Sequence, residues 1–348
     1  MRRCGSMKSR QRSPSLTLRV TSFRDLVNKT MHLFIVTPAP PESRKGNRIT
    51  AERWGRMLRS LGHRVELAES FEGQRCDALI ALHARKSAAS VNRFRRERPV
   101  APLIVVLTGT DLYHDLAISK SARRSIEVAD RLVVLQSHAV DDLPLAMRSK
   151  THVIVQSAVA PKRRPSPLRD VYEICVIGHL RPVKDPLRTA LAVRRLPPES
   201  RIVVTHLGAA LSPTMERRAR DEMAHNKRYR WRGDLPHATA MSLLARSRLL
   251  VNSSKLEGGA NAICEALACG VPVLSSRIAG SIGLLGEDYP GYFEVGDTVG
   301  LSKLLRRFET DAVFRAELTS ACRRLASQVT PARELAAWRE LLSGLKDE

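Results

Sequence analysis

From Met31 onward, short apolar runs alternate with amphipathic stretches along almost the whole chain. In the first half, the runs at 32–37, 63–67, 77–82, 103–107, 131–135 and 152–156 have the length and apolar content of buried strands. Between them, 48–61, 86–97, 117–128 and 137–147 carry hydrophobic residues at helical spacing. Strands that are apolar throughout and alternate with helices predict a parallel, doubly wound sheet. Residues 161–170 are proline-rich, basic and without periodicity, and read as a linker. A second α/β series follows, with strands at 172–177, 201–206, 248–251 and 272–275 and helices at 213–225, 236–246, 259–269, 298–309 and 311–327. Pro331 opens a last amphipathic helix that runs to about 345. The pattern thus predicts two domains, 31–160 and 171–328, followed by a terminal segment 329–348. A chain of 348 residues is longer than one core usually organises.

One stretch, 249–276, concentrates the chemistry. After its first strand comes Glu257-Gly258-Gly259-Ala260-Asn261, then a predicted helix holding Glu265, a stop at Gly270 and a second strand that Pro272 introduces. Eight residues is a little over two helical turns, which would put the carboxylates of Glu257 and Glu265 on one side of the element. Gly258 and Gly259 would bare the first backbone amides, a natural seat for anions and hydroxyls. Taken singly, Glu257 reads equally well as a cap and Glu265 as part of a solvated face.

A second loop follows the strand at 172–177. There Asp185 reads as an N-cap and Pro186 as the first helical residue, so that Gly178, Arg181 and Lys184 lie in a loop feeding a helix N-terminus. That geometry suits a diphosphate, with a guanidinium and an ammonium neutralising charge on a departing nucleotide. In the first half, ligands are expected outside the carboxyl ends of the strands. Three loops qualify: 37–48, with Lys45, Gly46, Asn47 and Arg48; 83–87, with His83 and Arg85; and 108–111, with Thr110 and Asp111. Each alone is ordinary turn chemistry, but all three meet on one sheet edge and together make an acceptor site.

Composition narrows the field. Hydrophobic residues make up 43% and charged residues 27%, ordinary for a globular enzyme, and no apolar run approaches the roughly 18–20 residues of a membrane span. The six cysteines are scattered without metal-ligand spacing, which fits free thiols in a reducing cytoplasm. The net charge of +23 calls for an anionic partner or substrate. Aromatic residues at 4%, with no nucleic-acid motif, speak against nucleic acid. Residues 1–30 carry eight Lys/Arg against one acidic residue, are serine-rich, and read as a disordered basic extension.

The string Glu-Gly-Gly-x5-Glu-Ala-Leu-Ala-Cys-Gly-Val-Pro-Val (257–273) resembles the donor signature of the large retaining family 4 of GT-B glycosyltransferases. That resemblance implies two Rossmann-like doubly wound domains facing across a cleft, with the terminal helix crossing back onto the first. It also implies that Glu257 addresses the transferred sugar, Glu265 the nucleotide ribose, and Arg181 and Lys184 the donor pyrophosphate. Trp231-Arg-Gly-Asp-Leu235 stands where these enzymes pack against the base. No Asp-x-Asp motif is present, so no metal or cofactor is expected, only a UDP-sugar co-substrate.

A closer resemblance rests on Arg-Lys-Gly-Asn-Arg-Ile-Thr-Ala (44–51), Ala-Leu-His-Ala-Arg-Lys-Ser-Ala (81–88), Leu-Thr-Gly-Thr-Asp-Leu-Tyr (107–113), Gly-His-Leu-Arg-Pro-Val-Lys-Asp-Pro (178–186) and Leu-Leu-Gly-Glu-Asp-Tyr-Pro-Gly-Tyr-Phe (284–293). These segments are similar to the selenosugar synthases of selenoneine biosynthesis. The similarity implies UDP-N-acetylglucosamine as donor and selenophosphate as acceptor. It further implies an upstream supplier of selenophosphate and a downstream selenoneine-forming enzyme.

Overall fold

The computed structural model describes residues 30–43 and 46–345, so the basic extension, apart from Thr30, and the candidate Lys45 lie outside the described residues. From Met31 the chain forms one compact unit built on two parallel six-stranded sheets. The first sheet contains β1 (His32–Val36), β2 (Arg64–Ala68), β3 (Ala78–Leu82), β4 (Leu103–Val106), β5 (Arg131–Val134) and β6 (Thr151–Val153), in the order β2-β1-β3-β4-β5-β6. The second contains β7 (Tyr172–Ile177), β8 (Ile202–Leu207), β9 (Tyr229–Trp231), β10 (Leu249–Asn252), β11 (Val273–Ser276) and β12 (Tyr292–Phe293), in the order β12-β11-β10-β7-β8-β9. In the second sheet the chain winds outward from β7 to β9 and then restarts on the other side at β10. That reversal leaves a crevice at the carboxyl ends of β7 and β10, where α/β sheets bind ligands. In the first sheet the equivalent crevice lies between β1 and β3.

The central strands are buried on both faces, as β3, β4 and β11 show, because helices cover each sheet above and below. One apolar cluster fills the second lobe, and two lie on the faces of the first sheet. The last helix, Pro331–Ser343, contributes to the first lobe rather than the second: Trp338 stacks edge-on against Trp54 at 4.8 Å, and Leu341 and Leu342 join Leu58 and Ile35.

Several expected elements are differently built. The helix expected at 117–128 is broken. A π turn at Asp111–Asp115 runs into Leu116–Ile118, the chain is extended at Ser119, and Ser119 then caps Lys120–Val128 by accepting from the Ala122 amide at 3.3 Å. The helix expected at 137–147 becomes two short turns, Ser137–Val140 and Leu145–Arg148, because Pro144 has no amide to donate between them. Helix Ala279–Leu285 and the edge strands β9 and β12 had no counterpart in the pattern reading.

Candidate functional site

The loops after β7 and β10 close on each other at the crevice. Lys184 ion-pairs with the Glu257 carboxylate, and Ser254 Oγ donates to the same Glu257 oxygen at 2.6 Å. The Lys255 amide donates to the Val183 carbonyl at 2.8 Å, and Ser253 Oγ to the Asp185 carbonyl at 3.0 Å. Asp185 is not the N-cap that the sequence suggested. It takes a left-handed backbone (φ 44, ψ 53) that ends the turn Pro182–Lys184, and its carboxylate accepts from Arg188 Nε at 2.7 Å. The following helix starts at Arg188. Gly178 and the exposed Arg181 precede that turn, and Lys184 ends it against Glu257.

The helix after β10 runs Asn261–Cys269 and stops, as expected, at a left-handed Gly270 (φ 63). Glu257 therefore precedes the helix, and its relation to Glu265 is not that of two residues on one helical face. Glu265 lies within the helix and accepts from His237 Nε2 at 2.9 Å. Its carboxylate holds the His237 imidazolium above the ordinary histidine range. Gly258, Gly259 and Ala260 lead from Glu257 into that helix, which opens at Asn261.

Those glycines do more than bare amides: they let the two lobes touch. A Cβ on Gly258 would lie 2.4 Å from the Thr108 carbonyl carbon and 2.6 Å from the Gly109 nitrogen. A Cβ on Gly259 would lie 2.6 Å from that of Leu135. On the opposite side, Gln156 reaches across from the first lobe. With its amide oriented as its neighbours require, it donates to Asn261 Oδ1 (3.0 Å) and the Gly259 carbonyl (3.2 Å) and accepts from Arg53 Nη2 (3.0 Å). Arg53 also pairs with Glu334 on the last helix, whose buried carboxylate takes the Trp54 indole N–H at 2.6 Å and the Ser157 amide at 2.8 Å. Gln156, Arg53, Ser254 and Glu334 escaped the sequence reading. Gln156, Arg53 and Glu334 act through partners far away in the chain, whereas Ser254 lies three residues before the Glu257 that it orients.

The first-lobe candidates fall into two groups. Gly46 and Asn47 open helix Gly46–Ser60 at the β1 crevice, with Gly46 close to Asn261. Arg48 is paired with Glu52 at 2.7 Å, and Arg85 with the buried Asp115 at 2.9 Å. Thr110 sits beside Gly109 at the lobe contact. Asp111 is completely buried, and its two oxygens accept from the amides of Ala84 (2.9 Å), Thr108 (2.9 Å) and Gly109 (2.8 Å). It organises the loops after β3 and β4 rather than presenting a carboxylate to an acceptor. His83 stands in the left-handed region (φ 73), buried between Asp111 and Asp115 at 3.8 and 4.0 Å. Its Nε2 has no hydrogen-bond partner among the described residues. Burial holds its imidazolium below the ordinary range, against the pull of both carboxylates.

Cys264 and Cys269, on the helix that carries Glu265, are buried, and burial pushes their thiols up to about 12 and 11. They pack as small apolar groups. Among the described residues, no group of three or more His, Cys, Asp or Glu is placed to hold a metal ion, and no helix is long and apolar enough to cross a membrane.

Comparison with known proteins agrees with this layout. The family model described as "Glycosyl transferases group 1" matches residues 160–325, the span that carries Gly178, Arg181, Lys184, Glu257 and Glu265. A relative from Xenopus tropicalis, "Glycosyltransferase 1 domain-containing protein 1", is 23% identical, with 80% of this chain and 88% of the relative covered. Among solved structures, Anabaena HepE in complex with UDP superposes with a TM-score of 0.73 at 16% identity, covering 90% of this chain and 99% of that one. The sucrose-phosphate synthase of Thermosynechococcus elongatus gives 0.73 at 14% identity, covering 91% and 99%. With its two parallel six-stranded sheets joined at a glycine-lined contact, the chain has the GT-B glycosyltransferase fold.

Proposed function

We propose that this chain is a UDP-sugar-dependent glycosyltransferase whose acceptor is selenophosphate. The observation that carries the donor half is the Lys184–Glu257 pair at the β7/β10 crevice, with Arg181 in the same loop. The match of residues 160–325 to the glycosyl transferases group 1 model and the UDP and UDP-glucose complexes of HepE support a nucleotide-sugar donor. In the reaction, selenium attacks C1 of the sugar and forms a C–Se bond. The C1–O bond breaks with its electron pair leaving on UDP. Water cleaves the Se–P bond, giving a 1-selenosugar and phosphate. Arg181 and Lys184 offset the charge growing on the leaving diphosphate, which is where preorganised cations lower a barrier most. Glu257, oriented by Lys184 and Ser254, accepts from a sugar hydroxyl. Glu265 accepts from the ribose.

The selenium half rests on the segment resemblances at 44–51, 81–88, 107–113, 178–186 and 284–293. Selenophosphate is already an anionic nucleophile and needs no strong base. One observation favours a second reading, transfer to a glycan, lipid or small alcohol: Arg48 and Arg85 are both neutralised by neighbouring carboxylates, leaving less positive charge for a phosphate. Incubating purified protein with UDP-N-acetylglucosamine and selenophosphate separates the two. The proposal predicts UDP release together with a product bearing the selenium isotope pattern at the mass of the 1-selenosugar. UDP release that depends on an alcohol acceptor, without any selenium-bearing product, supports the second reading and removes selenophosphate.

A further inference from the structure

The loop that carries Gly178, Arg181 and Lys184 is tied from below by groups outside every motif. At the carboxyl end of β8, His206 is 1% exposed. Its Nε2 lies 3.0 Å from the Gly178 carbonyl oxygen, and its Nδ1 lies 2.9 Å from the Tyr229 hydroxyl on β9. A carbonyl only accepts, so Nε2 must carry the proton. Nδ1 is then the acceptor, and the Tyr229 hydroxyl must donate to it. The relay thus has one satisfied arrangement, Tyr229 O–H to Nδ1 and Nε2–H to Gly178 O.

The Gly208 backbone also lies against that carbonyl. Gly208 has φ 145, and a Cβ there would lie 2.2 Å from Gly178 O. Trp231 Nε1 donates to the Gly208 carbonyl at 2.8 Å, and the Gly178 amide donates to Leu207 O at 2.9 Å. The first residue of the loop is held by the imidazole and lies against the Gly208 backbone, and Lys184 follows six residues later. Burial keeps the imidazole neutral, its pKa lowered to about 4, so the arrangement persists at neutral pH.

We infer that His206, fixed in its Nε2–H tautomer by Tyr229, is a positioning residue for the diphosphate-binding loop of this enzyme. It touches neither substrate nor reacting atoms and acts through the Gly178 peptide. The inference rests on the reading of Arg181 and Lys184 as the diphosphate grip.

The test measures UDP affinity by titration calorimetry, together with kcat and donor KM, on the full chain. His206→Leu removes the donor and leaves the buried Gly178 carbonyl unpaired, and it is expected to weaken UDP binding about tenfold or more. His206→Gln can place an amide N–H near the position of Nε2 and is expected to recover affinity to within about threefold of wild type. Tyr229→Phe frees the tautomer and is expected to fall between them. Equal affinities in the Leu and Gln variants, whether both normal or both impaired, overturn the inference. If His206→Leu does not fold, Tyr229→Phe decides: reduced UDP affinity supports the inference and wild-type affinity overturns it. Arg181→Ala controls the underlying reading. A loss of UDP affinity there, with wild-type affinity in His206→Leu, overturns the inference alone. Wild-type affinity in both overturns the diphosphate assignment and the inference with it.

Discussion

Replacing Gly258 with alanine should wedge the two lobes apart. The new Cβ would sit 2.4 Å from the Thr108 carbonyl carbon, 2.5 Å from its oxygen and 2.6 Å from the Gly109 nitrogen. Non-bonded heavy atoms rest near 3.5–4.0 Å, so the backbone at 108–109 must retreat by about 1 Å. Neither side can yield by a side-chain rotation, since every clashing atom is main chain. The 108–109 backbone is further pinned by Asp111, which accepts from both amides. Overpacking of this kind costs about 1–3 kcal/mol. Because the contact joins the lobes, the cost falls on the arrangement in which they touch. That range lowers the ratio of the contacting to an opened form about 5- to 150-fold. If transfer takes place with the lobes in contact, kcat should drop by up to the same factor while each lobe stays folded. Turnover is followed as UDP release at saturating donor, with X-ray scattering for the radius of gyration and a thermal melt as controls. Wild-type kcat with an unchanged radius of gyration would refute the reasoning, because it would mean that the chemistry does not depend on this contact.

Other expectations follow from the same geometry. Glu257→Ala and Lys184→Ala should each cut turnover by about a hundredfold or more, the scale of lost electrostatic stabilisation, and steady-state kinetics with a UDP-sugar checks both. Near-normal rates in the pair would dismiss the β7/β10 crevice as the reacting centre. Glu334→Ala should lower unfolding free energy by about 3–5 kcal/mol in a urea titration, since it strands Arg53 and leaves the Trp54 and Ser157 donors without an acceptor. Stability should also depend on His206. Its folded pKa of about 4 lies below the ordinary 6.5, so the unfolded chain binds more protons between those values. Stability therefore rises with pH across that window, by up to about 3 kcal/mol. In His206→Gln this part of the slope should vanish from melts recorded between pH 4 and 7.

What the sequence disclosed follows from where each signal is stored. Strand positions were legible because an interior parallel strand is apolar on both faces, as at 78–82 and 103–106. Gly270 was legible as a stop because only a left-handed residue closes that helix. Lys184 and Glu257 could be named from their strings, but their mutual pairing spans 73 positions and needed the sheet order to appear. Asp185 misled because Asp-Pro is a common helix opening, whereas here the aspartate turns left-handed to end the preceding turn. The pairing of Arg48 with Glu52 is an ordinary four-residue helical spacing, whereas that of Arg85 with Asp115 joins the segments after β3 and β4 and appears only once the sheet is formed. Gln156 gave no signal at all, since one glutamine bridging two lobes leaves no periodic or compositional trace.

The placement of Trp338 has a bearing on biogenesis. The sheet that emerges first from the ribosome lacks an indole and two leucines of its own interior until the final helix has been synthesised. Domains commonly fold as units while translation proceeds. Here the leading lobe must wait for the trailing end, so nascent chains halted after β12 should display an uncovered Trp54 and bind chaperones that recognise apolar surface.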